Sequence, residues 1–153
     1  MMRRRDKEVT DKAAMESIIR ASLVCRIALC DGDRPYVVPM CFGYDGRSIY
    51  LHSAGEGRKI DILKRNPGVC FEFESDCEVR HADKPCSFSM RYRSVMGSGK
   101  ACFLDDAEER QQAMQLIIGQ YTDKTFIMRD NELNGITIIR IDIDEITGKQ
   151  SGY

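Results

Sequence analysis

The chain has 153 residues, 42% hydrophobic and 31% charged, a balance that supports one globular core and excludes disorder. Its formal net charge of −1 leaves no overall field to recruit nucleic acid or an acidic membrane, and the run Arg3-Arg4-Arg5 beside Asp6 and Glu8 reads as a solvated terminus. No segment nears the roughly 18 apolar residues of a membrane span, and no apolar stretch follows the charged start, so the expectation is a cytoplasmic protein in a single domain.

In chain order, residues 11–21 predict a helix, with Thr10 as N-cap and Met15, Ile18 and Ile19 on one face. LVCRIALC at 23–30 alternates, placing Leu23, Cys25, Ile27 and Leu29 on one side of a strand. The turn DGDRP leads into a second strand at 35–44, and the proline within Val37-Val38-Pro39-Met40-Cys41 marks an edge or a bulge. Asp45-Gly46 signals a hairpin into a strand at 47–53. The segment EGRKIDILKRNPG then changes period, with Ile60 and Leu63 sharing a helical face and Asn66-Pro67-Gly68 stopping it. VCFEFE at 69–74 turns Val69, Phe71 and Phe73 inward and Glu72 and Glu74 outward.

Residues 88–104 predict a long strand with a bulge or sharp bend at Gly97 and Gly99. From Asp105-Asp106 a helix runs to about Tyr121, with Ala107, Met114, Ile117, Ile118 and Tyr121 on its apolar face. A strand at 135–146 sets Ile139, Ile141 and Ile143 against Arg140, Asp142 and Asp144. Strands joined by hairpins favour an antiparallel sheet over a wound parallel one. Some six of them, each with one apolar face, bury that face by closing into a barrel flanked by helices.

The seven cysteines, at 25, 30, 41, 70, 77, 86 and 102, include no Cys-x-x-Cys pair, which argues against a disulfide scaffold or a closed zinc site. Cys25, Cys70 and Cys102 lie in apolar runs and read as small hydrophobes, whereas Cys41 and Cys86 are either buried or reactive thiols. Neither a Gly-x-Gly-x-x-Gly fingerprint, a Gly-Lys-Ser/Thr loop nor a Gly-x-Ser-x-Gly elbow is present.

The chemistry concentrates in Tyr50-Leu51-His52-Ser53-Ala54-Gly55-Glu56-Gly57-Arg58-Lys59. There a strand ends, a glycine-bearing loop follows, and two cations open a helix whose first amides point outward. This arrangement suits a phosphate monoester. Solvated helix cations account for Arg58 and Lys59 equally well. In Met90-Arg91-Tyr92-Arg93-Ser94-Val95-Met96-Gly97, alternation sets Tyr92 and Ser94 opposite Arg91 and Arg93, whose simplest reading is exposure to solvent.

Taken together, CRIALCDGDRPYVVPMCFGYDG, SIYLHSAGEGRKIDILKRNP, VCFEFE, SMRYRSVMGSGKA and IDIDEITGKQSG resemble the 5-nitroimidazole reductase family, within the pyridoxamine 5′-phosphate oxidase-like flavin-binding split barrels. The resemblance covers nearly the whole chain. It implies a mainly β protein with flanking helices: a six-stranded antiparallel split β-barrel, forming a homodimer with FMN in grooves between subunits. It also implies that Arg58, Lys59 and Ser53 hold the FMN phosphate, and that Val38, Pro39 and Met40 run along the flavin ring. His52 and Ala54 would line the pocket, with Ser94 and Val95 nearby, and Lys149 would reach the cofactor or the partner. The chain has no tryptophan, so aromatic cover for the ring falls to Tyr or Phe.

The activity so implied is FMN-dependent reduction of a small planar acceptor such as a nitroheterocycle, with a reductant such as NAD(P)H. FAD shares the ring and first phosphate and stays open. His52 serves either as the catalytic proton donor or as a packed strand-end side chain. Two alternatives stand beside this reading. One is oxidation of a vitamin phosphate, with Arg91 and Arg93 as candidates for its second phosphate site. The other is a flavin or haem carrier or redox sensor without turnover.

Overall fold

The computed structural model describes residues 4–128 and 130–153; Arg3 of the basic run lies outside them. Among the described residues, eight strands form one antiparallel sheet and three α-helices cover it. The elements are β1 (Glu8–Val9), α1 (Lys12–Ala21), β2 (Cys25–Asp31), β3 (Arg34–Met40), β4 (Phe42–Tyr44), β5 (Ser48–Ala54), α2 (Arg58–Arg65), β6 (Gly68–Arg80), β7 (Ser89–Leu104), α3 (Ala107–Gly119) and β8 (Ile136–Ser151).

Spatial order along the sheet is β3-β2-β6-β7-β8-β5-β4, with β1 paired to β8. The two ends of that order, β3 and β4, are consecutive in the chain and separated by Cys41 alone. One interrupted strand therefore serves both edges, which curls the sheet into a barrel. Counted as one, β3 and β4 join β2, β5, β6, β7 and β8 to give the six long strands expected, and the dipeptide β1 is the addition. Pro39 lies on the edge strand β3, opposite Arg26, where its missing N–H leaves no bond of the β2 ladder broken.

The core follows the two-residue period. Cys25, Ile27, Leu29, Val69, Phe71 and Phe73 are buried inside with Phe42, Ile49, Leu51, Ile139 and Ile141. Helix α1 closes this cluster with Met15, Ile18 and Ile19. Its N-cap is Asp11 rather than Thr10: the carboxylate accepts from Ala14 N at 3.0 Å. Helix α3 covers the opposite face, where Leu104, Ala113 and Ile138 form a second cluster. Asp106 caps α3 through Glu109 N.

Several side chains depart from their predicted places. Leu23 is 75% exposed, because the strand begins two residues later. Ala107 is exposed in the first turn of α3, and Tyr121 lies beyond its last turn. The Tyr121 hydroxyl nonetheless accepts from Phe42 N and donates to Leu23 O, tying α3 to the barrel. Cys70 is exposed and Cys102 half-buried, so only Cys25 behaves as a fully buried hydrophobe. Burial pushes the Cys25 thiol pKa up. Cys41 and Cys86 are both exposed.

Two long strands outrun their predicted ends. β6 continues to Arg80 and pairs with β7 as a ribbon beyond the barrel, with a register shift between Ser75 and Glu78 where Asp76 takes a positive φ of 55°. β8 continues to Ser151 because Gly148 lets its backbone approach β1 and α1: a Cβ there would come within 2.8 Å of Met15 Cγ and the Val9 carbonyl. The irregularity predicted near Gly97 and Gly99 falls between Ser98 and Gly99, in the pairing with β8.

Candidate functional site

The end of β5, the β3–β4 break and the start of α2 surround one groove of about 430 Å3. His52, Ser53 and Ala54 enter it from β5, Pro39, Met40 and Cys41 from β3 and its break, and Lys59 from α2. Gly135 and Ile136 complete the wall. Pairing of β5 with β8 sets His52 opposite Ile138 and Ala54 opposite Ile136, which brings the start of β8 alongside. Sequence reasoning missed Gly135 and Ile136; the turn-forming Asn134-Gly135 was the available signal.

Two polar groups in this groove lack the partners their chemistry demands. Lys59 is half-buried and forms no ion pair among the described residues; its ammonium donates only to Met40 Sδ, at 3.1 Å. A thioether is a weak acceptor, and burial holds the Lys59 pKa below its ordinary value. The second is His52, whose Nδ1 is buried without a hydrogen-bond partner. A buried polar nitrogen without a partner costs about 1–3 kcal/mol, and Nε2, at the other edge of the imidazole, is the ring nitrogen left to meet a ligand.

The N-terminus of α2 is open as well. Gly57 occupies the N-cap at φ 120°, no side chain caps it, and a Cβ there would meet nothing within 4 Å. Positive φ favours glycine at this position. The free first-turn amides carry the positive end of the helix dipole, in the same turn as Lys59. Arg58 is differently placed. Its Nε donates to Asp31 Oδ2 at 3.3 Å and its guanidinium stacks 4.7 Å from the Tyr36 ring centroid, while Arg65 takes Asp31 Oδ1 at 2.7 Å. Arg58 does not line the groove, although Nη1 and Nη2 have no partner among the described residues.

Of the other sequence candidates, Val38 packs half-buried against the core. Val95 is fully buried and Ser94 lies opposite Glu74 and Lys149, so one chain does not bring them to His52. Arg91 and Arg93 are not simply solvated. They pair with Glu78 and Asp76 and flank the Tyr153 ring at 4.4 and 4.1 Å. Lys149 Nζ sits 5.5 Å from the Tyr92 ring centroid. Among the described residues, no three His, Cys, Asp or Glu side chains gather as metal ligands, and no helix is long and apolar enough to cross a membrane.

A closed antiparallel barrel with a basic, helix-capped groove at the end of β5 is the architecture of the pyridoxamine 5′-phosphate oxidase-like split barrels, and the family model for pyridoxamine 5′-phosphate oxidase matches residues 11–150. The chain belongs to that family. A candidate 5-nitroimidazole antibiotic resistance protein from Bacteroides thetaiotaomicron is 38% identical to it, over 94% of this chain and 86% of the other, with a TM-score of 0.84. The FAD and heme binding protein from Mycobacterium smegmatis shares the fold at 18% identity, over 96% of this chain and 74% of that one, with a TM-score of 0.81. An uncharacterised protein of Rhizobium meliloti is 31% identical over 64 residues, which span 42% of this chain and 42% of that relative.

Proposed function

We propose that the chain binds FMN in the groove between β3, β5 and α2, works as a homodimer, and reduces a small planar acceptor of the nitroheterocycle type. The observation that carries this reading is the pair of unsatisfied groups, Lys59 and His52, in one groove beside an open helix N-terminus. A half-buried ammonium without a carboxylate suits an anion that arrives from outside. The match to the 5-nitroimidazole resistance protein supports the choice of acceptor. FAD would present the same ring and first phosphate to these residues.

In this reading Lys59 and the first amides of α2 hold the phosphate, with Ser53 as a neutral donor and Arg58 turning its free Nη atoms from the Asp31 brace. Pro39 and Met40 give the flavin ring an apolar flank and exclude water from it. FMN bound there supplies two-electron chemistry between a nicotinamide-type donor and the acceptor. His52 donates from Nε2 to negative charge that develops on the acceptor.

The second copy supplies what one chain lacks. The outward face of β7 runs Met90, Tyr92, Ser94, Met96 and Ser98 without a charge, and Met90, Met96 and Phe88, just before the strand, are about half exposed. A partner seated on that face would carry Ser94 to the other subunit's groove. Vitamin-phosphate oxidation is disfavoured, because Arg91 and Arg93, its candidates for a second phosphate, are engaged by Glu78, Asp76 and Tyr153.

The test is to release the cofactor by heat, identify it by mass, and repeat with Arg58→Ala/Lys59→Ala. Near-complete loss of flavin from a folded double variant is expected. Stoichiometric flavin in that variant would refute the phosphate assignment. Bleaching by NAD(P)H and recovery on adding a nitroimidazole separates a reductase from a carrier.

A further inference from the structure

We infer that a second small-molecule site lies between α1, β4 and α3, and that it takes a zwitterionic α-amino acid. This cavity, of about 520 Å3, shares no lining residue with the His52 groove. Its volume falls within the roughly 300–1,000 Å3 usual for ligand pockets. Arg20, in the last turn of α1, and Tyr44, at the end of β4, form one side; Gln112, Gln115 and Gln120 form the other, over Leu116 and Gly119.

The first side offers donors without acceptors. The Tyr44 ring is buried, with the residue only 7% exposed, and its hydroxyl, which has no hydrogen bond among the described residues, opens to the cavity. The Arg20 guanidinium carbon stands 6.0 Å from the Tyr44 ring centroid, and Arg20 forms no ion pair among the described residues. The acids nearest this corner are already engaged. Glu16 lies 3.6 Å from Lys12 Nζ, and Asp45 accepts from the backbone of Arg47 and Ser48 and from the Tyr50 hydroxyl. Arg20 and Tyr44 therefore present a fork and a hydroxyl to a carboxylate from outside.

The second side has acceptors to spare. Gln120 donates to the carbonyls of Arg20 and Ser22, Gln112 to Glu108, and Gln115 to the Phe126 carbonyl. Each amide nitrogen is thus held by the protein, and each amide oxygen is left without a partner. Three amide oxygens without a protein partner and an arginine without an ion pair, lining one cavity, match an ammonium and a carboxylate on one small ligand. The frame is rigid: a Cβ at Gly43 would lie 2.6 Å from backbone atoms of Leu116 and Ile117, so β4 abuts α3 and fixes Tyr44 against the glutamine face.

The probe is L-phenylalanine, titrated calorimetrically into the full chain. Saturable binding with Kd on the order of 1 mM is expected. Phenethylamine, which lacks the carboxylate, and 3-phenylpropionate, which lacks the ammonium, should each bind about tenfold more weakly or worse. Arg20→Gln should cost roughly tenfold or more, and Tyr44→Phe, which keeps the packed ring, several-fold. Arg58→Ala/Lys59→Ala should leave phenylalanine binding unchanged, keeping this result apart from the flavin assignment. Absence of saturation up to about 20 mM, equal binding of the three probes, or indifference to Arg20→Gln would each overturn the assignment.

Discussion

The Lys59 ammonium lies 3.1 Å from Met40 Sδ, so a helix cation and an edge-strand thioether meet across the floor of the groove. Their residues are 19 apart in the chain, and the meeting leaves a charge half-buried on a weak acceptor. Lys59→Met should therefore raise the melting temperature of the flavin-free protein by about 2 °C, equivalent to under ~1 kcal/mol for a chain this size, while weakening flavin binding severely. The pH dependence has a definite sign. Because the folded pKa of Lys59 lies below its ordinary value, the unfolded chain binds more protons between the two. Wild-type stability thus gains from this lysine as pH rises through that window, and the penalty is full below it. Lys59→Met should abolish that gain; urea titrations across the alkaline range check it.

His52 should act through Nε2, since Nδ1 is sealed and unpartnered. Glutamine can place an amide N–H near the position of Nε2, and alanine cannot. His52→Ala is expected to lower kcat for a nitroimidazole about 10²-fold at unchanged flavin content, and His52→Gln to recover most of that loss. Equal activity of both variants would return His52 to a packing role. Steady-state kinetics on flavin-loaded protein decides.

Gly97 is expected to be intolerant of any side chain. A Cβ there would run into the Glu145 carbonyl and the Phe71 ring at the heart of the barrel. Gly97→Ala should destabilise by about 1–3 kcal/mol. Gly119→Ala is the control: nothing lies within 4 Å of a Cβ at that helix end, and the change should be neutral or slightly stabilising. Urea denaturation of the two variants gives the comparison.

Thiol accessibility tests the proposed seam between copies. Cys30, Cys41, Cys70, Cys77 and Cys86 are all exposed in one chain, and Cys25 is not. Cys70 faces outward on β6, opposite Ser98 of the uncharged stripe. Under native conditions Cys86 should react promptly with a maleimide, whereas Cys70 should react slowly at micromolar protein and speed up on dilution. Labelling of Cys70 at the rate of Cys86 at every concentration would place the seam elsewhere. Peptide mass mapping reads each site separately.

Local pattern carried much of this architecture. The alternation of Val69, Phe71 and Phe73 and the turn at Asp45-Gly46 needed only neighbours in sequence to be read, and both stand where expected. What failed was long-range or terminal. Leu23 looked like part of an alternating strand, but it precedes the first residue that β3 and β6 can pair with. The ribbon at the end of β6 has too mixed a pattern to announce a strand; pairing of Glu78 with Arg91, Val79 with Met90 and Arg80 with Ser89 makes it one. In the groove, His52 and Lys59 were legible as strand-end and helix-start chemistry, whereas the diversion of Arg58 to Asp31 depends on a hairpin 27 residues earlier. Gly135 and Ile136 were legible only as the start of a strand, because it is β5–β8 pairing that brings them to the groove.

A single unpaired position, Cys41, separates the stretch that borders one margin of the sheet from the stretch that borders the other. The cylinder is therefore fastened at the same place where its groove opens. A molecule gripping Met40 on one side and His52 on the other would act as a clasp, resisting the parting of those margins. Loading and resistance to heat would then rise and fall together, and the empty protein would breathe first at its own binding mouth.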